Sequence, residues 1–201
     1  LSLLMCIGWE LMFEAFNNAP VVSSTAKLGG LFSISFAVPF YILVLFAEFN
    51  VRRNISWYSI IVLVLGGGML SLIVTMILNE LSGNPRAAYW AGPIEEAAKL
   101  VVAIFFARKF FLNGQILNGM LCGAAVGAGF AGFETAGYII MYAESGSAFN
   151  TSVLRGILSP FAHVPWSCLL FSSDAADSLL CVFLFCLRIS TFLYLFSLLY
   201  I

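Results

Sequence analysis

The sequence predicts an all-α fold: a single-domain, polytopic bundle of about seven transmembrane helices over residues 1–201. Of its residues, 62% are hydrophobic and 9% are charged, whereas soluble domains carry about 25% charged residues. The apolar residues also fall into runs close to the roughly 20 residues that one membrane span requires. These runs lie at about 1–16, 31–49, 58–78, 87–107, 117–142, 153–172 and 178–201.

Polar and glycine-rich stretches separate or interrupt the first four runs. The stretch 17–20 ends the first run, and a polar stretch with Arg52 and Arg53 closes the second. The third run carries three consecutive glycines at 66–68, which predict a kink or a close helix contact. A turn signal at 83–85 then separates the third run from the fourth.

Charge restricts the class of partner and orients the chain. The formal net charge of −1 gives no reason to expect nucleic-acid binding. We expect an integral multi-pass protein of the plasma (cell) membrane, embedded in the lipid bilayer, with its amino terminus in the cytoplasm. This orientation follows from a small excess of positive loop residues on one side, where Arg52, Arg53, Arg108 and Lys109 oppose Lys27, Arg86 and Arg155. The five cysteines have no metal-ligand spacing and are expected to be buried.

The fourth run contains the costliest residues of the chain, Glu95, Glu96 and Lys99. Each charge at the centre of a membrane helix costs about 2.5–3.5 kcal/mol. On a helix, Lys99 is close enough in angle to counter either carboxylate. The cluster is therefore a candidate functional site, with a self-neutralising structural ion pair as the alternative. Pro93 is a candidate start for a half-helix that would hold both glutamates in its first turn.

The fifth run combines a stripe of small residues with one acid. Gly119, Gly123 and Gly127 recur every four residues, which lets another helix approach to backbone contact. Glu134 lies within about 20° of Gly127 around the helix axis. We expect its carboxylate to face protein, either in a functional role or satisfied by a neighbouring hydroxyl. Residues 127–132 also fit GxGxxG, but no predicted strand precedes them, so a dinucleotide site is rejected.

The sixth run contains His163, the single histidine of the chain. Pro160 and Pro165 bracket it and loosen the backbone, which membrane proteins tolerate beside a cavity or another helix. A lone histidine is often a hydrogen-bonded core residue. Because three apolar runs each contribute an acid or a base, a shared functional site is the better interpretation.

Three ordered motifs resemble those of the PrsW family of intramembrane proteases, which is distantly related to the CAAX-processing and Abi-type membrane peptidases. They are EExxK at 95–99, FxxxE at 130–134 and a histidine motif at 163–167. The similarity covers about 91–167, inside a motif-bearing core at about 87–172. The family pattern leads us to expect a further histidine motif near the carboxyl end. Residues 173–201 contain none and are expected to form a divergent terminal helix.

The resemblance implies hydrolysis of peptide bonds in membrane-anchored protein substrates. In one mechanism, a carboxylate of the 95–96 pair activates water and His163 stabilises the oxyanion. In the other, Glu134, His163 and one carboxylate of the pair bind a divalent metal such as zinc. One histidine is atypical of catalytic zinc sites, so the residues alone slightly favour direct carboxylate catalysis. The predicted catalytic residues are Glu95, Glu96, Glu134 and His163, supported by Lys99 and Ser167.

Two other classes of function also fit buried acids and a buried histidine. A proton-coupled transporter or channel uses such groups as proton relays, but the sequence has no second EExxK-like segment or inverted repeat of the kind that transporters often show. A catalytically inactive membrane scaffold derived from a protease is the other alternative. Cleavage of a substrate separates these possibilities from a peptidase.

Overall fold

A computed structural model describes residues 24–49, 55–82, 88–110 and 116–141, and residues 154–156, 158–160, 163, 164 and 167. All regular structure in these ranges is helical, in agreement with the predicted class. Four long helices are described: α1, Ser24–Phe49; α2, Trp57–Leu81; α3, Ala88–Phe110; and α4, Ile116–Met141. The described residues of 154–167, here called the histidine segment, have helical backbone. The first and seventh predicted spans lie outside the described residues.

Three of these helices contain stretches long and apolar enough to cross a membrane. The stretches are Gly29–Glu48 in α1, Trp57–Leu81 in α2 and Asn118–Met141 in α4, and each meets the requirement of about 20 residues. The protein is therefore an integral membrane protein. Helix α3 does not qualify by composition, because Glu95, Glu96 and Lys99 interrupt its apolar residues.

The observed helix boundaries differ from the predicted ones where polar residues were assigned to loops. Helix α1 begins at Ser24 instead of at about residue 31. Helix α2 begins after Ser56, whose hydroxyl accepts a hydrogen bond from the Ser59 N–H at 3.1 Å. Such a cap satisfies one of the amide groups that a helix start leaves without a partner. The same helix runs through Leu81, three residues beyond the predicted end.

Helix α2 is interrupted in its middle by a π-helical turn, Leu63–Gly67. The turn overlaps two of the three consecutive glycines, where the sequence predicted a kink or a close contact. A Cβ atom on Gly68 would lie 2.5 Å from the Gly129 carbonyl carbon, and one on Gly129 would overlap the Val64 carbonyl oxygen. Helices α2 and α4 therefore meet at backbone contact, as small residues allow within membranes.

Helix α4 is the most buried of the three apolar spans and packs against the other described helices. Gly127, Gly129 and Gly132 of this helix point in three different directions. The step of two residues between the first pair rotates the position around the helix axis by about 200°, and the step of three between the second pair rotates it by about 300°. Gly129 contacts α2, Gly132 contacts the Phe36 ring of α1, and Gly127 contacts the histidine segment. The GxGxxG pattern is thus a packing feature, and helix α4 positions the elements that carry the candidate site.

Candidate functional site

The ionisable side chains singled out in the sequence meet where α3, α4 and the histidine segment come together. Helix α3 contributes Glu95, Glu96 and Lys99, α4 contributes Glu134, and the histidine segment contributes His163. Helix α3 is continuous from Ala88, so the prediction that Pro93 starts a half-helix is wrong. Pro93 lies in the second turn, where its missing N–H removes a single backbone hydrogen bond close to the start of the helix.

Gly127 allows the histidine segment to approach α4. A Cβ atom at Gly127 would lie 2.7 Å from the His163 carbonyl oxygen and 2.9 Å from Ser167 Oγ. Any larger residue would push the segment outward, away from Glu134 on the same helix. This contact agrees with the prediction that Gly127 and Glu134 face the same neighbour.

Lys99 is the least exposed charged residue of the cluster, with only 1% of its side chain exposed. Its ammonium group donates to Glu96 Oε1 at 2.7 Å and contacts His163 Nδ1 at 2.6 Å. It also lies 4.1 Å from the centroid of the Phe130 ring, at a distance suitable for a cation–π interaction. The buried cation is therefore held by a carboxylate, an imidazole and an aromatic face.

The contacts of Lys99 fix the arrangement of protons on the neutral imidazole. An ammonium group has donors and no acceptor, so His163 Nδ1 accepts and the ring proton resides on Nε2. That nitrogen lies 3.1 Å from Glu134 Oε2, to which it donates. The same Glu134 oxygen is 2.6 Å from Arg155 Nη2. A continuous chain of contacts thus runs from Glu96 through Lys99, His163 and Glu134 to Arg155.

The two adjacent glutamates have different environments. Glu96 is bound to Lys99 through Oε1, and its buried Oε2 has no hydrogen-bond partner among the described residues. Buried polar atoms are normally satisfied, so this oxygen is a candidate acceptor for a water molecule or a substrate group. Glu95 instead lies with Glu134 and His163, and one potential ligand atom from each falls within 4.8 Å of the others.

Glu95, Glu134 and His163 could hold a divalent metal. Three protein ligands that leave one position open are typical of catalytic zinc sites, although two of the three here are carboxylates. The oxygen-rich set also suits harder ions such as Mn²⁺. Binding through His163 Nε2 requires the proton on that nitrogen to leave, as is usual when imidazole becomes a ligand. With that change, the donor set fits a metal.

The structure thus brings together the four residues predicted to be catalytic, together with Lys99. Ser167 lies one turn after His163, and its buried hydroxyl has no hydrogen-bond partner in the described part of the chain. No described contact joins Ser167 to the carboxylates.

Two residues at this site lie outside the predicted motifs and were not among the predicted site residues. Arg155 was counted in the sequence as a loop charge, and Tyr138 was not singled out. The guanidinium carbon of Arg155 lies 3.8 Å from the centroid of the Tyr138 ring. The predicted site contains three glutamates but only one lysine, and this imbalance was a signal in the sequence that a second cation would be needed to compensate their charge.

Comparison with known proteins identifies the family of this chain. No curated protein and no solved structure matches the chain. Residues 54–170 match the PrsW family intramembrane metalloproteases, and this range contains α2, α3, α4 and the histidine segment. The match covers more than half of the 201 residues. The chain belongs to the PrsW family of intramembrane metalloproteases.

Proposed function

We propose that this protein is a metal-dependent peptidase that hydrolyses peptide bonds of membrane-anchored proteins at the cluster described above. The observation that carries the proposal is the convergence of Glu95, Glu134 and His163 from three separate segments, with potential ligand atoms within 4.8 Å of one another. The alternative, a purely structural ion pair of Lys99 with a carboxylate of the 95–96 pair, gives no reason for Glu134 to lie beside His163. The family description and this cluster together favour metal-dependent catalysis over direct carboxylate catalysis.

Glu95, Glu134 and His163 are the proposed ligands. A metal ion bound there would polarise the scissile carbonyl group and acidify a water molecule. A set of two carboxylates and one imidazole is compatible with zinc and also with harder divalent ions.

Glu96 is the proposed general base, because its Oε2 is a buried acceptor with no hydrogen-bond partner among the described residues. Lys99 holds the other oxygen of this carboxylate, which fixes the side chain and compensates its charge. In this role Oε2 accepts a proton from the attacking water and then donates it to the nitrogen of the cleaved bond. His163 accepts a hydrogen bond from Lys99, which orients the imidazole toward Glu134.

The membrane restricts the class of substrate. One residue of the charged cluster, Glu134, lies on α4, which is an apolar span. The side chains of the cluster are mostly shielded: Glu96 and Glu134 are each 12% exposed and His163 is 13% exposed. A bond presented at this site has to lie close to or within the bilayer. The proposed substrates are therefore membrane-anchored proteins, and the proposed location is the cell membrane.

The proposal is tested with protein reconstituted in liposomes together with a fluorescent membrane-anchored peptide. We expect Glu96→Gln to retain bound metal and to lose about 10²–10⁴-fold in cleavage rate, the usual contribution of a general base. Glu95→Gln, Glu134→Gln and His163→Ala should lose both metal and cleavage. Glu80→Gln is the matched control, because Glu80 is an exposed carboxylate near the end of α2.

Three results would contradict the proposal. Full cleavage under stringent chelation would exclude the metal mechanism, and full cleavage by Glu96→Gln would exclude the proposed base. If the wild-type protein binds metal at this site but cleaves no membrane-anchored peptide, the inactive scaffold becomes the better interpretation. Metal content, measured by atomic spectroscopy on the same preparations, separates these outcomes.

A further inference from the structure

Arg155 contacts the candidate site from a position outside its sequence motifs. It lies eight residues before His163, and its Nη2 is 2.6 Å from Glu134 Oε2. Only 29% of its side chain is exposed. The same carboxylate oxygen accepts the hydrogen bond from His163 Nε2 at 3.1 Å. Arg155 and His163 therefore share one acceptor atom.

Tyr138 contacts the guanidinium group of Arg155. The Tyr138 ring lies 3.8 Å from Arg155 Cζ, and Tyr138 follows Glu134 by one turn on α4. Side chains four residues apart on a helix are neighbours. One planar guanidinium can therefore contact the ring and the carboxylate together, which a flexible ammonium group does less well.

The charge of the cluster explains why a second cation is needed. Glu95, Glu96 and Glu134 contribute three carboxylates, whereas α3 supplies Lys99 alone. Lys99 donates to Glu96 at one end of the chain of contacts, and Arg155 contacts Glu134 at the other. An uncompensated carboxylate in such a shielded place is strongly unfavourable, and without an anchor Glu134 could rotate away from His163.

We propose that Arg155 is a positioning residue of this site: held against Tyr138, it fixes the Glu134 carboxylate, which in turn fixes the ring of His163. This inference deepens the proposed function and rests on it for its effect on catalysis. Its effect on His163 does not depend on whether the protein cleaves peptides.

The single histidine makes a direct measurement possible. Protein carrying ¹⁵N-labelled histidine, purified without a polyhistidine tag, gives ring nitrogen signals from His163 alone. The wild-type spectrum, recorded with chelator present, should show protonated Nε2 and unprotonated Nδ1. We expect Arg155→Met to shift the Nε2 signal, Arg155→Lys to shift it less, and Tyr138→Leu to shift it in the same direction. Tyr58→Phe is the control, because Tyr58 is an exposed residue of α2 and should leave the signals unchanged.

Kinetics on the same variants supply a second readout. Removing a residue that orients a metal ligand typically costs about 10–100-fold. We expect a loss of this size in kcat for Arg155→Met, with KM unchanged, because the missing interaction acts on the reacting groups and not on substrate binding. Arg155→Lys should recover part of the rate, which a purely structural defect would not predict.

The experiment distinguishes a failure of the inference about Arg155 from a failure of the proposed peptidase function. If wild-type protein cleaves nothing, the peptidase proposal fails, and the histidine signals alone decide the role of Arg155. Unshifted His163 signals in Arg155→Met would overturn the inference, whatever the activity. If Arg155→Met does not fold, Arg155→Lys and Tyr138→Leu carry the same test, and unshifted signals in both would also overturn it.

Discussion

Replacing Lys99 by methionine should destabilise the protein more than most single substitutions. Methionine fills nearly the same space, but it leaves Glu96 without its ammonium partner at 2.7 Å and His163 Nδ1 without its contact at 2.6 Å. Breaking a buried ion pair by removing one partner typically costs about 3–5 kcal/mol, because the remaining charge stays buried. Lys99 is 1% exposed and Glu96 is 12% exposed, so solvent can compensate little of this loss.

The double variant Lys99→Met/Glu96→Gln separates the ion pair from simple packing. Removing both charges avoids an uncompensated carboxylate, so the double variant should be more stable than Lys99→Met alone. The coupling energy between the two sites should fall in the upper part of the range of about 0.5–3 kcal/mol that contacting residues show. Free energies of unfolding in mixed detergent micelles, measured for the wild type, both single variants and the double variant, give this number. Glu80→Gln serves as the surface control.

Two results would refute this reasoning. One is a loss of less than about 1 kcal/mol in Lys99→Met, the range of an exposed pair. The other is strict additivity of the two substitutions, which would mean that Lys99 and Glu96 do not depend on each other.

Three further predictions concern packing around the site. Gly129→Ala should destabilise the protein by about 1–3 kcal/mol, since the added Cβ would overlap the α2 backbone. Gly137→Ala is the control: no atom lies within 4 Å of its added carbon, so it should be neutral or stabilising by about 0.5–1 kcal/mol. Equal effects of the two substitutions on the free energy of unfolding would contradict the close contact. Gly127→Ala should displace the His163 carbonyl, shift the histidine ring signals and lower the cleavage rate by about 10²-fold, as small misplacements of reacting groups do. Unshifted ring signals would argue against the close contact between Gly127 and the histidine segment. Phe130→Leu should cost about 0.5–2 kcal/mol more in the wild type than in a Lys99→Met background, because only the wild type has a cation–π contact with Lys99 to lose. Equal losses in the two backgrounds would show that the ring acts through packing alone.

Helical periodicity predicted which elements form and which residues face one another, because it depends on local spacing. The apolar runs predicted the second to fifth helices with errors of zero to seven residues at their ends. The spacing of Gly127 and Glu134 predicted that both face the same neighbour, and the glycines at 66–68 predicted a close contact in α2. Each of these conclusions needs only the helix repeat and the size of a side chain.

The choice of partner among nearby charges could not be predicted in this way. Spacing allowed Lys99 to pair with Glu95 or with Glu96, and the structure pairs it with Glu96. His163, which lies 64 residues later, contacts the same ammonium group, and helix spacing alone does not include that contact. Arg155 was missed for the same reason: its contact with Glu134 is made across two elements that the sequence does not place relative to each other.

Helix α3 also has a consequence for how the protein is made. Its three charges would cost about 7.5–10.5 kcal/mol in a bilayer if each were alone, and the pairing of Glu96 with Lys99 lies within the helix itself. The contacts with Glu134 and His163 depend on chain that leaves the ribosome later. We therefore expect α3 to enter the lipid late or reversibly during synthesis, and to become stably integrated only when the histidine segment has followed it into the membrane.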